Sequence, residues 1–276
     1  MMMPPPPGLA GLVDFERYPV HDLADAGAKL AARCRRELIE TGSCLLEGFI
    51  TPAAVARMAA EGMRVAPRAW RTTPSRGTAY LAPPDESFPE RHPKRRFQST
   101  SVGAVAYDLI PPGDAIRRVY EWDGLMDWLA LAIGRERVYR YADPLGGLNV
   151  AVMEAGEHLL WHFDQTDFVV SILLQDCEKG GNFEYVQHIR TPDAPNYARV
   201  EALLDGAREG VVTLDITPGT MALFMGRYSI HRVTPIEGAT PRLIALLGYD
   251  TQPGVMSSDH LKMRRYGRTE PIAPAA

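Results

Sequence analysis

Residues 210–233 read GVVTLDITPGTMALFMGRYSIHRV. Two apolar runs, Gly210–Leu214 and Met221–Phe224, flank a Thr217-Pro218-Gly219 turn, and a third strand-like segment carries His231. Short apolar runs punctuated by Pro and Gly read as strands, because those two residues interrupt a ladder and turn the chain. Moving outward, the pattern repeats at Leu148–Met153, Phe168–Leu174 and Phe183–Val186, and again at Leu243–Gly248. Turns such as Glu178-Lys179-Gly180-Gly181 separate the runs, and one helix, roughly 195–204, interrupts them. Many short strands with turns between them predict a sandwich or barrel.

The first half has a different period. Ala24–Glu40 carries Ala, Leu and Arg at helical spacing. Thr51-Pro52 opens a second helix, with Thr51 as N-cap and Pro52 at the first helical position, running to about Val65. Between them SCLLEGFI, residues 43–50, reads as a strand. Residues 66–114 are rich in Pro, Arg, Ser and Thr and lack periodicity, which suits a functional lid, a binding loop or disorder. Asp114–Gly134 returns to a helical pattern. The expected class is therefore α+β with a mainly β core and N-terminal helices packed on it. A mobile Pro-rich tail is expected over residues 1–12 and a single domain over 13–268, helical to about 140 with a β core over about 141–250. A loose tail is expected over 269–276.

Composition narrows the function. Across 276 residues, 46% are hydrophobic and 23% charged, an ordinary soluble balance. The net charge of −4 predicts no long basic surface for nucleic acid, and the cluster Arg91, Lys94, Arg95, Arg96 is local. Three cysteines, Cys34, Cys44 and Cys177, form no CxxC pair and are expected as buried free thiols in a reducing cytoplasm. No apolar run approaches a membrane span, so no membrane partner is expected. Oligomeric state is not legible.

The chemistry-bearing stretch is Trp161-His162-Phe163-Asp164. In a strand, residues two apart share a face, so His162 and Asp164 point together while Phe163 packs behind them. An imidazole and a carboxylate make half of a facial metal site, and His231 supplies a third ligand from a later strand-like segment. Two histidines and one carboxylate leave three open positions on an octahedral ion, as a non-haem Fe(II) oxygenase requires. Zinc fits less well, because catalytic zinc usually takes its three protein ligands in a tetrahedral arrangement. Arg242 opens the apolar run RLIALLGY, and an arginine inside a β core needs an anion, for which a carboxylate is the natural bidentate partner.

With these residues in place, the span from about Leu148 to Asp250 resembles the Fe(II)/2-oxoglutarate-dependent oxygenase superfamily. Within it, the chain is most similar to the branch of free-amino-acid radical halogenases and their hydroxylating relatives. The matching stretches are NVAVM at 149–153, WHFD at 161–164, FVVSILLQ at 168–175, GGNFEYV at 180–186, PGTMALFMGRYSIHRVTP at 218–235 and GYD at 248–250.

The resemblance implies a double-stranded β-helix, a cupin-like jelly roll, forming the core of one catalytic domain. It implies iron held by His162, Asp164 and His231, with 2-oxoglutarate as co-substrate, its far carboxylate on Arg242, and O₂ as oxidant. In the halogenases of the branch a small residue replaces the carboxylate ligand and leaves room for chloride; Asp164 is retained here, which implies a hydroxylase. Many superfamily members place a hydroxyl residue two positions after the arginine, but here that position is Ile244, so the hydroxyl must come from another strand. Asn149 is a candidate for a further 2-oxoglutarate contact. Gln165, Asp167, Glu184, Arg227 and Arg96 are candidates for substrate contacts, with His92 and Arg95 in the same loop as Arg96. Trp161, Phe163 and Phe168 are expected to wall the site. The substrate class implied is a small molecule, a free amino acid or derivative. Desaturation or cyclisation on the same scaffold is the rival outcome, and a non-catalytic metal- or ligand-binding barrel is the rival of another class.

Overall fold

The computed structural model describes residues 6–71 and 75–272. Helix α1 (Ala26–Thr41) ends where Gly42 adopts the left-handed conformation and its N–H bonds the Leu38 carbonyl at 3.0 Å. Strand β1 (Ser43–Leu46) follows, then α2 (Pro52–Val65), whose Thr51 hydroxyl caps the Ala54 N–H at 3.4 Å. Strand β2 (Gly103–Val105) precedes two helices, α3 (Ala115–Glu121) and α4 (Asp123–Ile133). The single helical stretch expected over 114–134 is thus broken, because Trp122 between them takes an extended ψ of 118°. The second half supplies β3 (Leu148–Met153), β4 (Leu159–His162), β5 (Val169–Gln175) and β6 (Phe183–Val186). Helix α5 (Tyr197–Leu204) then leads to β7 (Val211–Leu214), β8 (Met221–Phe224), β9 (Ile230–Val233) and β10 (Arg242–Leu247), and α6 (Asp259–Tyr266) follows.

Two antiparallel sheets form the jelly roll. The larger has the order β1-β8-β5-β10-β3-β2 and the smaller β7-β6-β9-β4. Strand alternation divides the larger sheet into two faces. Val150 and Val152 of β3, Val170 and Ile172 of β5, Met221 and Leu223 of β8, and Leu243 and Ala245 of β10 join the main apolar core with the helices. Their alternating neighbours Asn149, Ala151, Ser171, Ala222, Arg242 and Ile244 instead line a cavity. The helical layer is locked to this core: Trp128 is fully buried and its indole N–H donates to the Gly27 carbonyl at 2.9 Å. Truncating such a side chain costs roughly 3–5 kcal/mol. The turn before β8 requires glycine: Gly219 has φ 89°, and a Cβ there would lie 2.9 Å from the Ile50 carbonyl oxygen.

Several expectations shift. Within the stretch expected as a tail, Leu9 and Leu12 are buried in the core, while residues 1–5 lie outside the described residues. At the other end Arg268 and the Ile272 N–H both bond Asp108, at 2.7 and 2.8 Å, and residues 273–276 are not described. The 66–114 segment contains β2 and a short strand over 98–100. Cys34 and Cys44 are buried, but Cys177 is partly exposed. No helix among the described residues is long and apolar enough to cross a membrane.

Candidate metal centre

His162 is the last residue of β4 and pairs in register with His231 of β9. Both imidazoles therefore project into the cavity between the sheets, with ring centroids 4.1 Å apart. Asp164 was expected to continue the strand, but β4 stops at His162. The chain there turns toward the segment before β9, where the Asp164 N–H bonds the Gly226 carbonyl at 3.1 Å. The carboxylate still converges: Oδ1 lies 3.8 Å from His162 Nε2 and Oδ2 lies 3.6 Å from His231 Nε2. The close approach at 226 demands glycine, since a Cβ would sit 1.6 Å from Asp164 Oδ2.

Electrostatics prepare these groups to bind a cation. His162 Nδ1 is 2.8 Å from the Leu160 carbonyl and His231 Nδ1 is 3.1 Å from the Ser229 carbonyl. A carbonyl can only accept, so each Nδ1 carries the proton and each Nε2 lone pair faces Asp164. Burial, reinforced by the neighbouring His231, pushes His162 down to about 3, and burial pushes His231 down to about 4. Both rings are neutral at neutral pH, as ligation requires. Burial raises Asp164 above the ordinary carboxylate range, and its Oδ2 is buried with no hydrogen-bond partner. A buried oxygen without a donor is costly, and a bound cation removes that cost. Across the described residues, these three side chains form the group able to hold an ion, with donor atoms within 4.8 Å of one another.

The cavity beside the triad has a volume of about 190 Å³. Arg242 enters it from β10, is 2% exposed, and has an Nη1 with no hydrogen-bond partner. Its burial lowers its pKa, with Asp176 and Cys177 acting in the opposite direction. Ile244 faces the same cavity. Ser171 supplies a hydroxyl from a neighbouring strand, but it pairs with Leu246, four residues along β10 from Arg242. At a rise of about 3.3 Å per residue, that places it roughly 13 Å away, too far to share one carboxylate with Arg242. Asn149 pairs with Leu246 as well and lies at the same remove.

The aromatic wall differs from expectation. Phe168 lines the cavity, but Trp161 and Phe163 alternate with His162 and face the other way, into a small core with Val186, Val200 and Leu203. Arg232 lies over Trp161 at 4.8 Å and Arg190 over Phe163 at 3.8 Å, bracing the ligand strand from behind. The wall comes instead from Phe183, stacked on His231 at 5.3 Å, and Phe224, edge-on to it at 4.8 Å. No sequence feature singled out these two, although their strands were legible.

Among the candidate substrate contacts, Gln165 lines the cavity but is exposed, and its carbonyl accepts from Arg227. Arg227 also pairs with Asp167 at 2.6 Å, and neither residue lines the cavity. Glu184 lies on the outward face of β6 and is consumed by Arg208 at 2.5 Å and Arg232 at 2.7 Å. Arg96 pairs with Asp205 after α5 at 2.6 Å. His92 stacks on Phe88 at 3.9 Å, and Arg95 donates to the Phe88 carbonyl at 2.9 Å. These loop side chains hold the loop together or tie it to α5, away from the triad. Sequence reading missed the C-terminal contribution to the cavity: Leu261, Arg265 and Tyr266 of α6, with Ser257 before it.

Comparison with known proteins agrees with this geometry. No curated protein sequence matches. Solved structures share the fold at low identity. One is AviO1 from Streptomyces viridochromogenes Tue57, with 18% identity, a TM-score of 0.55, and coverage of 83% of this chain and 97% of that one. Another is SnoN, a non-haem α-ketoglutarate-dependent epimerase from nogalamycin biosynthesis, at 15% and 0.56, covering 80% and 81%. A third is the prolyl hydroxylase from Trichoplax adhaerens, at 14% and 0.53, covering 82% and 90%. A family model described as Halogenase D matches residues 89–264, a span that contains the triad and Arg242. That match covers more than half of the sequence, and the chain belongs to the halogenase D family.

Proposed function

We propose that this protein is an Fe(II)- and 2-oxoglutarate-dependent oxygenase that hydroxylates an unactivated C–H bond of a small substrate. The observation that carries the reading is the pairing of two buried, unsatisfied groups in one cavity: Asp164 Oδ2 among two neutral imidazoles, and Arg242 Nη1 with no hydrogen-bond partner. The first fits a divalent cation and the second a carboxylate. Residues His162, Asp164 and His231 would hold iron, and Arg242 would hold the far carboxylate of 2-oxoglutarate. With O₂, the loaded iron supplies an oxidant able to take hydrogen from an unactivated C–H bond, while 2-oxoglutarate leaves as succinate and CO₂.

The chain's own part is positional. The Leu160 and Ser229 carbonyls fix the tautomer and direction of each imidazole. Phe183, Phe224 and Phe168 exclude water from the reacting face, which strengthens every charge interaction inside. Retention of Asp164 favours oxygen insertion over halogen transfer within the family. With Asp164 beside His162 and His231 as the residues that would hold iron, the site would keep no room for a halide next to 2-oxoglutarate. The relatives' breadth, which includes an epimerase, leaves desaturation and cyclisation as alternatives that share the hydrogen-abstraction step. Incubating the iron-loaded protein with 2-oxoglutarate and a small-molecule library, while following succinate and product mass, tests the reading. Succinate matched by a product one oxygen heavier supports hydroxylation, while a product two hydrogens lighter replaces it with desaturation. Absence of succinate and of 2-oxoglutarate binding would leave a non-catalytic barrel.

A further inference from the structure

The cavity has a second cation that the reading above does not use. Arg265, on α6, lines the main cavity and also a smaller one of about 70 Å³ beside it, which shares Asn149 and His162 as lining. A defined element presents this side chain. Ser258 caps α6 by accepting from the Leu261 N–H at 3.3 Å, Leu261 and Tyr266 are buried, and Gly267 closes the helix in the left-handed conformation. No ion pair joins Arg265 to a carboxylate among the described residues. Arg265 shares the main cavity's lining with His162 and Asp164, and the smaller cavity's lining with His162. The neighbouring Arg264 adds to the positive potential and is itself held below the usual guanidinium range by burial and by Arg265.

Charge balance then points to the missing anion. Among the described lining residues Asp164 is the sole carboxylate, set against Arg242 and Arg265. With a divalent ion bound, the cavity would carry three net positive charges; dianionic 2-oxoglutarate would remove two of these, leaving one. Arg265 is half-buried, and a guanidinium facing a cavity is matched best by a bidentate oxyanion. The lining offers no second acid to pair with a cationic side chain. Resting on the oxygenase reading, we propose that Arg265 anchors a carboxylate of the primary substrate, selecting a small carboxylic acid without a basic side chain.

The test uses the full chain with Ni(II) in place of iron and saturating 2-oxoglutarate. The thermal midpoint is measured with small carboxylic acids, free L-amino acids and their analogues lacking the α-amino group, each paired with its carboxamide. At least one acid with a non-basic side chain is expected to raise the midpoint while its amide does not. Arg265→Ala should lose that shift, and Arg265→Lys should recover part of it. In turnover, Arg265→Ala should raise KM for that acid at least about tenfold with a smaller change in kcat, a loss equivalent to about 1.4 kcal/mol. The 2-oxoglutarate affinity of the variant should stay unchanged. Equal shifts by acid and amide, a shift retained in Arg265→Ala, or no shift with any acid overturns the assignment while leaving the oxygenase reading intact. Failure of 2-oxoglutarate itself to bind the wild-type protein removes that reading and this inference with it.

Discussion

The two ends of the cavity are built in different ways. At the metal end, the chain fixes each donor through its own backbone: Leu160 and Ser229 hold the imidazoles, and Gly226 makes room for Asp164. At the guanidinium end, Arg242 is held by packing on β10, and its Nη1 finds no hydrogen-bond partner in the chain. Under the proposed reading, direction is thus set in advance for the cation, whereas the anion itself would complete the pairing of Arg242. The first end is an exacting geometry, and the second is a buried charge.

Changes at each end should therefore fail differently. His231→Ala should abolish both metal binding and turnover. Loss of outer support alone costs about 10–100-fold in metal affinity, so removal of a ligand should exceed that, as equilibrium dialysis would show. Arg242→Ala should leave metal affinity near wild type but weaken 2-oxoglutarate by about 2–5 kcal/mol, roughly 30-fold or more, read by calorimetry. Loss of metal in that variant would break the distinction. Gly226→Ala adds a Cβ where Asp164 Oδ2 now lies, and should weaken metal by about 10–100-fold with little change in 2-oxoglutarate affinity once metal is saturating.

A separate effect is a pH dependence of the metal-free protein. His162 and His231 titrate near 3 and 4 in the folded state and near 6.5 when unfolded. Depressed histidine values mean that the unfolded chain binds protons first. Stability is then highest above about pH 6.5 and falls as pH drops toward 4, by up to about 1.4 kcal/mol per pH unit for each histidine. Asp164, raised by burial, works in the opposite direction and offsets part of the loss. Replacing His231 with Asn should roughly halve the slope in denaturant titrations. An unchanged slope would show that the ring is not held neutral.

The metal end was legible because residue type and spacing act together: His162 ends β4, Asp164 two residues on converges with it although the strand has ended, and β9 brings His231. Arg242 was legible as a charge on an apolar strand. The same parity rule excludes Glu184, which lies between Phe183 and Tyr185 and so faces away from His231. Nearness in sequence to Asp164 misled for Asp167, whose partner is Arg227. Arg265 was hidden because α6 has an unremarkable polar sequence, and only tertiary packing brings it over the cavity. Phe183 and Phe224 were hidden for the same reason: their strands were readable, but their stacking on His231 was not.

The most direct measurement is an anaerobic calorimetric titration of 2-oxoglutarate into the protein, with and without Fe(II), for the wild type and Arg242→Ala. The account predicts one molecule bound per chain, tight binding only with metal present, and a large loss in the variant. Binding that ignores the metal, or that survives removal of Arg242 unchanged, would contradict it.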